Sequence, residues 1–534
     1  LSVAAPEVLP PAPKRSFLDR LESLGNRLPD PVMIFVWLIG ALIVLSSIGA
    51  VLGWSASLPF KGETAPAWGE IEGGRLTFRA ESLLSEDNLA RLFTETAKTL
   101  TGFAPLGLVL TIIYGAAVAE RSGFFSALIR ASLRGADRRW LTPLVALIGM
   151  VSHHASDAAY LVFIPLSALL YAAVGRHPLA GLAAAFAAVS GGYAGNITPG
   201  QIDVMLFSFT QEAARIIDPT WTLNPLGNWW FILGIVVLFT PIVWFVTDRI
   251  IEPRLGPWGG GGDPELLAEL AQSEPTQAER RGLRLAGVAA LVVVTGFAAM
   301  ALWPGFTPLV DETKAGTAAL QPFYSALVAG FLVLFLAVGI AFGAGAGVIR
   351  SHRDVFAMMT EGVRALAPYL VFAFFAAHFV AMFNWSRLGP IAAINGAHIL
   401  EVLDLPAPAL LLGVLGFSSF LDLFIGSATA KWSALAPVVV PMFMLLGISP
   451  EMTTAAYRMG DSFTNIMTPL MAYFPLILGF CRRWDPSVGV GSLLALMLPY
   501  ALAFMVGGAL MTGLWVVFDW PLGPGASVTY TPPG

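Results

Sequence analysis

The stretch Tyr457-Arg458-Met459-Gly460-Asp461-Ser462-Phe463-Thr464-Asn465-Ile466-Met467-Thr468-Pro469 decides how this chain is read. It lies in a long apolar region, 407–480, yet it carries an arginine, an aspartate and a run of hydroxyl and amide side chains that ends at a proline. A charge at the centre of a membrane helix costs roughly 2.5–3.5 kcal/mol on insertion scales, and charges that persist there face a cavity or a partner. A proline inside a helix removes a backbone hydrogen bond and kinks the chain. Costly polar groups leading into a helix break point to a site inside the membrane.

The rest of the chain fits that setting. Of 534 residues, 56% are hydrophobic and 12% charged, about half the charged share of an ordinary soluble domain. The net charge of −5 offers no basic stripe for nucleic acid. The single Cys481 excludes an intrachain disulfide and a Cys-based zinc cluster. No phosphate-binding Gly-x-x-x-x-Gly-Lys-Ser/Thr string occurs, which argues against a nucleotide-driven pump. Nothing calls for an organic cofactor; the small ligands to expect are a proton or sodium as coupling ion. Residues 1–30 are basic, lack a signal-peptide cleavage pattern and read as a cytoplasmic arm.

Apolar stretches near the ~20 residues needed to cross a bilayer fall at 31–54, 100–120, 228–247, 283–304, 321–343, 355–385 and 490–516. Two longer regions, 141–213 and 407–480, are interrupted by Pro, Gly and polar residues. Arginines in the N-terminal arm, at 121–139, at 249–284, at 350–353 and at 482–483 mark cytoplasmic loops, whereas 55–99 and 305–320 read as periplasmic. These sides alternate only if 141–177 begins and ends inside and 386–449 begins and ends outside, which makes 141–175 and 407–447 re-entrant hairpins. The sequence therefore predicts an all-α polytopic membrane protein with nine transmembrane helices plus two re-entrant hairpins, the N-terminus cytoplasmic. Its parts are a first half at 31–248, a cytoplasmic linker at 249–282, an extra helix at 283–304, a second half at 321–516 and a periplasmic tail at 517–534.

The halves repeat each other. Hairpin 141–175 precedes a broken helix, 178–213, that opens on Pro178 and contains Asn196-Ile197-Thr198-Pro199. Hairpin 407–447 precedes a broken helix, 450–480, that opens on Pro450 and contains Asn465 to Pro469. One hairpin is entered from inside and the other from outside, so the repeats are inverted. This architecture places a transport site where the breaks meet, near the midplane.

Candidate residues follow from cost and spacing. Arg458 and Asp461 are three apart on one helix face and are expected to pair. The pair is either structural or a coupling device. In the second case Arg458 takes a substrate carboxylate through its planar fork and Asp461, freed, accepts a proton. Trp432, after the small-residue tip Gly426-Ser427-Ala428-Thr429-Ala430-Lys431, is either packing or a ring face for an aromatic ligand. Lys431 is either a hairpin anchor or a second anion contact. In the first half, Asp157 with His153 and His154 at the hairpin tip either stabilise the tip, couple an ion or bind a metal whose other ligands are missing, and Asn196 and Asp203 around the break are candidates for ion coupling. A sodium site near Asn196, Asn465 and Asp461 is a further expectation. Glu361 and Arg364 read as a structural pair at a helix end.

At Ser427–Pro437, Tyr457–Ser462, Asn465–Leu470 and Ser190-Gly191-Gly192-Tyr193 leading to Asp203, the chain resembles the p-aminobenzoyl-glutamate transporter (AbgT) family of the ion-transporter superfamily. The resemblance implies a bowl-shaped homodimer in the bacterial inner membrane, each protomer with its own pathway. It implies handling of p-aminobenzoyl-glutamate-type aromatic carboxylates or export of sulfonamides. It places Trp432, Pro450, Arg458, Asp461, Pro469 and Asp203 along that pathway. Thr429 stands where relatives carry serine, and the His153-His154 pair has no counterpart in the resemblance. The function expected is ion-gradient-driven secondary transport across the lipid bilayer, not enzymatic. An intramembrane aspartyl hydrolase and an ion channel are the competing classes. For the first, the Gly-x-Gly-Asp string Gly260-Gly261-Gly262-Asp263 falls in the linker at 249–282 and not in an apolar span, and the second is disfavoured by hairpins closing the path from both sides.

Overall fold

The computed structural model describes residues 31–59, 69–132, 137–152, 159–222, 224–260, 275–314, 319–468, 471 and 473–531. Among them, seven helices are long and apolar enough to cross a bilayer: Val32–Leu52, Trp229–Leu255, Gln277–Leu302, Gln321–Ala346, Ala367–Trp385, Ala428–Leu445 and Val490–Val517. An eighth crossing is available if Pro105–Arg121 and Phe124–Ala131, bent by 59° where they meet, count as one. The bend falls at Gly123, whose φ of +85° is strained for any residue with a side chain.

Both broken helices are present as helix, break and helix. Pro178–Phe186 runs into a π-helical turn, Ala187–Gly191, and Gln201–Ala214 resumes the helical path. Pro450–Thr464 stops, and Phe474–Trp484 resumes. The two openings are built alike. His177 accepts from the Leu179 amide ahead of Pro178, and Ser449 accepts from the Met452 amide ahead of Pro450. Proline suits this first position because its missing N–H would have no partner in the helix anyway. Each piece is too short to span a bilayer by itself.

The first hairpin region supplies Leu141–Val151 and the apolar helix Ala159–Ala173, and the second supplies Ala407–Asp422 and Ala428–Leu445. The last arm, 18 residues long, has the length of a crossing, more than a short re-entrant arm requires.

Two sequence expectations are corrected. The fold is not wholly α. The 55–99 segment holds a three-stranded antiparallel sheet: β1 (Ser55–Pro59), β2 (Glu70–Glu72) and β3 (Arg75–Arg79), in the order β1-β3-β2. Alternation in Arg75-Leu76-Thr77-Phe78-Arg79 turns Leu76 and Phe78 inward, where they join Ala56 and Ile391 in a small apolar cluster. The stretch 355–385 is two helices, His352–Ala365 and Ala367–Trp385. Pro368, at the second position of the latter, suits a new helix start. The first carries Asp354, Glu361 and Arg364 and is not among the spanning helices.

Packing brings the halves together. Helix Pro450–Thr464 is buried nearly throughout, against Ala407–Asp422, Gln201–Ala214 and Val490–Val517. At Gly460 an added Cβ would lie 2.1 Å from the Leu415 carbonyl oxygen, so only glycine permits this approach. The carbonyls of Tyr457 and Gly460 accept from Ser418 and Ser419 across the same interface, at 2.9 and 2.8 Å.

The tail folds back over the start of that helix. Ser449 donates its amide to Val528 O at 2.9 Å and its hydroxyl to Ser527 O at 2.6 Å, and Ile448 bridges Thr529. Asn224 Nδ2 donates to Pro524 O at 2.6 Å, which ties the segment to the first half as well.

Candidate functional site

The site is built where the two broken helices meet. Helix Gln201–Ala214 begins just after the first break, and its third residue is Asp203. Asp203 Oδ2 accepts from the Gly200 amide at 2.7 Å, so the carboxylate is fixed at a helix N-terminus, where the backbone dipole favours it. Its other oxygen, Oδ1, accepts from Arg458 Nη1 at 2.5 Å. Arg458 has no exposed surface and Asp203 1%. The expected Arg458–Asp461 pair on one helix face is therefore replaced by a pair between the two broken helices. Helical spacing permits the local contact, but the fold supplies an acid opposite Arg458 whose position is already held by a backbone amide. Arg458 Nε and Nη2 have no hydrogen-bond partner among the described residues. Two donors of the fork are thus uncommitted in a dry site.

Asp461 has other partners. Tyr193, from the stretch just before the first break, donates its hydroxyl to Asp461 Oδ2 at 2.7 Å. Lys431 forms ion pairs with both Asp461 and Asp422, and all three side chains are fully buried. Lys431 thus ties the ends of the two hairpin arms together through Asp422 and also reaches Asp461. It is the centre of an ionic cluster that joins the two arms of the second hairpin region to the broken helix. Asp422 and Tyr193 were not singled out as candidates in the sequence. Asp422, a lone acid in the apolar run Ala407–Asp422, satisfies the same cost criterion that selects Asp461. Tyr193 shows no comparable signal, because a tyrosine in an apolar stretch is ordinary packing.

Trp432 is buried without exposed surface. Its indole Nε1 donates to Thr210 Oγ1 at 2.9 Å, and its ring stacks on Tyr457, with centroids 4.3 Å apart and planes at 23°. Thr210 in turn shares a 2.8 Å hydrogen bond with Thr454. One face of the tryptophan is occupied by the protein's own tyrosine in this conformation. Thr429 is half-buried and hydrogen-bonded to the Ser427 hydroxyl at 3.3 Å, close to the start of the same helix.

Asn196 is buried beside the first break, with Oδ1 taken by the Ile197 amide at 2.8 Å. Asn465, half-buried, follows the last turn of Pro450–Thr464. Pro450 opens that helix eight residues before Arg458, about 12 Å away along its axis, so it positions the helix rather than adjoining the guanidinium. Asp157, His153, His154 and Pro469 lie outside the described residues. Glu361 and Arg364 form an exposed ion pair, as their spacing suggests. No cluster of three or more His, Cys, Asp or Glu side chains suited to a metal occurs among the described residues.

The arrangement leaves guanidinium N–H donors of Arg458 without a partner among the described residues and sets a buried ammonium between two carboxylates. Both halves contribute, and the cluster is closed to solvent.

Comparison with known proteins agrees with this geometry. The sequence profile of the AbgT putative transporter family matches residues 16–530. The chain is 36% identical over 505 residues to the p-aminobenzoyl-glutamate transport protein of Escherichia coli (strain K12), covering 95% of each chain. It resembles the solved structure of the Alcanivorax borkumensis YdaH transporter, with a TM-score of 0.84 and 40% identity, over 93% of this chain and 100% of the other. It also resembles Neisseria gonorrhoeae MtrF, a structure presented as illuminating a class of antimetabolite efflux pumps. There the TM-score is 0.87 and the identity 39%, over 96% of this chain and 100% of the other.

Proposed function

This chain belongs to the AbgT transporter family, and on that premise we propose that it is an ion-gradient-driven secondary transporter of p-aminobenzoyl-glutamate-type aromatic carboxylates, with sulfonamide antimetabolites as a second cargo class. The observation that carries the reading is the buried Arg458–Asp203 pair between the repeats, with two guanidinium donors still uncommitted. A carboxylate or sulfonamide has the acceptor geometry for that fork. An aromatic ring attached to it needs an apolar face, which the Trp432–Tyr457 stack supplies once the two rings part.

In this reading Arg458 binds the anionic end of the cargo and releases Asp203, which then needs a cation of its own. Asp203 thus takes the role that the local spacing assigned to Asp461. Asp461, with Asn465, Asn196 and Asp157, remains a candidate for the proton or sodium that drives transport. Thr429 shapes the site from the hairpin tip. Pro450 fixes the helix start, and Pro469 remains a candidate on the pathway. The protein works in the bacterial inner membrane with its N-terminus cytoplasmic, as a homodimer whose protomers each hold a pathway. The two hairpins are re-entrant, and the broken helices complete nine crossings.

Counterflow in proteoliposomes tests this. Vesicles preloaded with unlabelled p-aminobenzoyl-glutamate should accumulate the labelled compound, and Arg458→Ala should abolish the exchange. Cleavage of the compound by the purified protein, or flux without exchange, would overturn the proposal in favour of a hydrolase or a channel.

A further inference from the structure

Lys431, Asp422 and Asp461 form a cluster that is one positive charge short. Two carboxylates share one ammonium, and none of the three side chains has any exposed surface. Asp422 Oδ2 is buried and accepts no hydrogen bond among the described residues. The other ionisable groups nearby do not close the deficit. Tyr193 donates a neutral hydroxyl to Asp461, Tyr457 donates its hydroxyl to the Ala428 carbonyl, and Arg458, one turn away, is held by Asp203. A buried carboxylate without its own counter-charge is costly, so the cluster favours one further monovalent cation.

The three groups also differ in where they are anchored. Asp422 ends one arm of the second hairpin region, and Lys431 lies in the first turn of the other. Asp461 lies on the broken helix Pro450–Thr464. Lys431 and Asp422 thus form a neutral pair within the hairpin region, whereas Lys431–Asp461 crosses from that region to the broken helix.

Resting on the transporter reading above, we infer that Lys431 is a tethered cation that competes with the coupling cation for Asp461. Without the coupling ion, Lys431 bridges both acids and clamps the hairpin tip to the broken helix. When a proton or sodium ion reaches Asp461, Lys431 withdraws to Asp422 alone, and the clamp is released with charge balanced on both sides. Asp422 acts as the receiver that makes this withdrawal possible. It is a positioning residue that sets how readily the external cation is taken.

The two sides of the competition move the cation dependence in opposite directions. Lys431→Gln removes the competitor, so half-activation should shift at least tenfold toward lower cation concentration, that is, to higher pH midpoint or lower sodium. Asp422→Asn removes the receiver and leaves Lys431 on Asp461, so half-activation should shift at least tenfold the other way. Uptake of labelled p-aminobenzoyl-glutamate into proteoliposomes, measured in separate proton and sodium series, reads both shifts and identifies the ion. Cation-dependent thermal stabilisation of the purified protein in detergent reads the same order without transport. Should Lys431→Gln fail to fold, Asp422→Asn alone decides. Shifts in one direction for both variants, or an unmoved midpoint for Asp422→Asn, would mean a structural cluster and overturn the inference. Failure of counterflow in the unmodified protein would instead overturn the transporter reading, so the two failures are distinguishable.

Discussion

Arg458 and Asp203 lie 255 positions apart and meet in a 2.5 Å bond between Nη1 and Oδ1. The contact joins the helix that precedes the second break to the helix that follows the first. A buried charge there is costly alone, so the pair helps fix how the two broken helices face each other, and it sets the guanidinium of Arg458 at their junction.

Breaking that pair on one side should cost more than removing it. Arg458→Ala leaves Asp203 buried and unpaired, a change worth about 3–5 kcal/mol, and should lower the thermal midpoint of the purified protein sharply. Arg458→Ala combined with Asp203→Asn should recover most of the loss while exchange activity stays absent. Equal destabilisation by the single and double variants would show that the pairing is not what holds the interface.

The tryptophan can be dissected by degrees. Trp432→Phe keeps a ring against Tyr457 but loses the hydrogen bond to Thr210 and part of the volume of a fully buried indole, so stability should fall by about 1–3 kcal/mol. Trp432→Ala removes the ring and should cost about 3–5 kcal/mol. If the ring contacts cargo, Trp432→Phe should raise KM more than it lowers the maximal rate, as measured by uptake at varied substrate concentration.

Gly460 offers a test of the helix contact without any charge. Gly460→Ala drives a methyl against the Leu415 carbonyl. Overpacking of this kind costs typically about 1–3 kcal/mol, occasionally more. Gly413→Ala, in the neighbouring helix and with nothing within 4 Å of the added carbon, should leave the midpoint unchanged or raise it. Thermal unfolding of both in the same detergent checks the contrast.

Outside the membrane-spanning elements, Asp354 should report a pH-dependent cap. The Arg350 and Ser351 amides donate to Asp354 Oδ2, both at 2.8 Å, and hold its carboxyl below the usual carboxylate range. The folded value is lower than the unfolded one, so the stabilisation is complete above the unfolded pKa of about 4 and fades as pH falls through the folded value. A carbon-13 titration of the Asp354 carboxyl should give a midpoint below that of an unfolded peptide. Coincidence of the two would remove the cap's electrostatic role.

Much of the molecule could be read from its residues because the membrane makes errors expensive. Apolar runs of spanning length, prolines that open helices and charges inside those runs all carry large energies, so 178–213 and 450–480 announced themselves as interrupted. Arg458, Asp461 and Asp203 stood out for the same reason, whereas Trp432 was marked only by its place after the small-residue tip. What stayed hidden was partnership. Helical spacing ties Arg458 to Asp461, but that rule knows only neighbours on one helix. Asp203 and Tyr193 come from the other half and are matched only by the three-dimensional fold. The small sheet was missed because β1, β2 and β3 are 5, 3 and 5 residues long, too short for alternation to stand out in a charged loop.

The strap formed by residues 519–530 has a bearing on biogenesis. Ser527 and Val528 supply the carbonyls that hold Ser449, and Ser449 in turn caps the helix carrying Arg458 and Asp461. The ribosome delivers that helix first and its fastener 78 positions later. Until residue 528 has emerged, the second interrupted segment lacks this latch, so the cap on its opening turn can be completed only after the rest of the second half has been made.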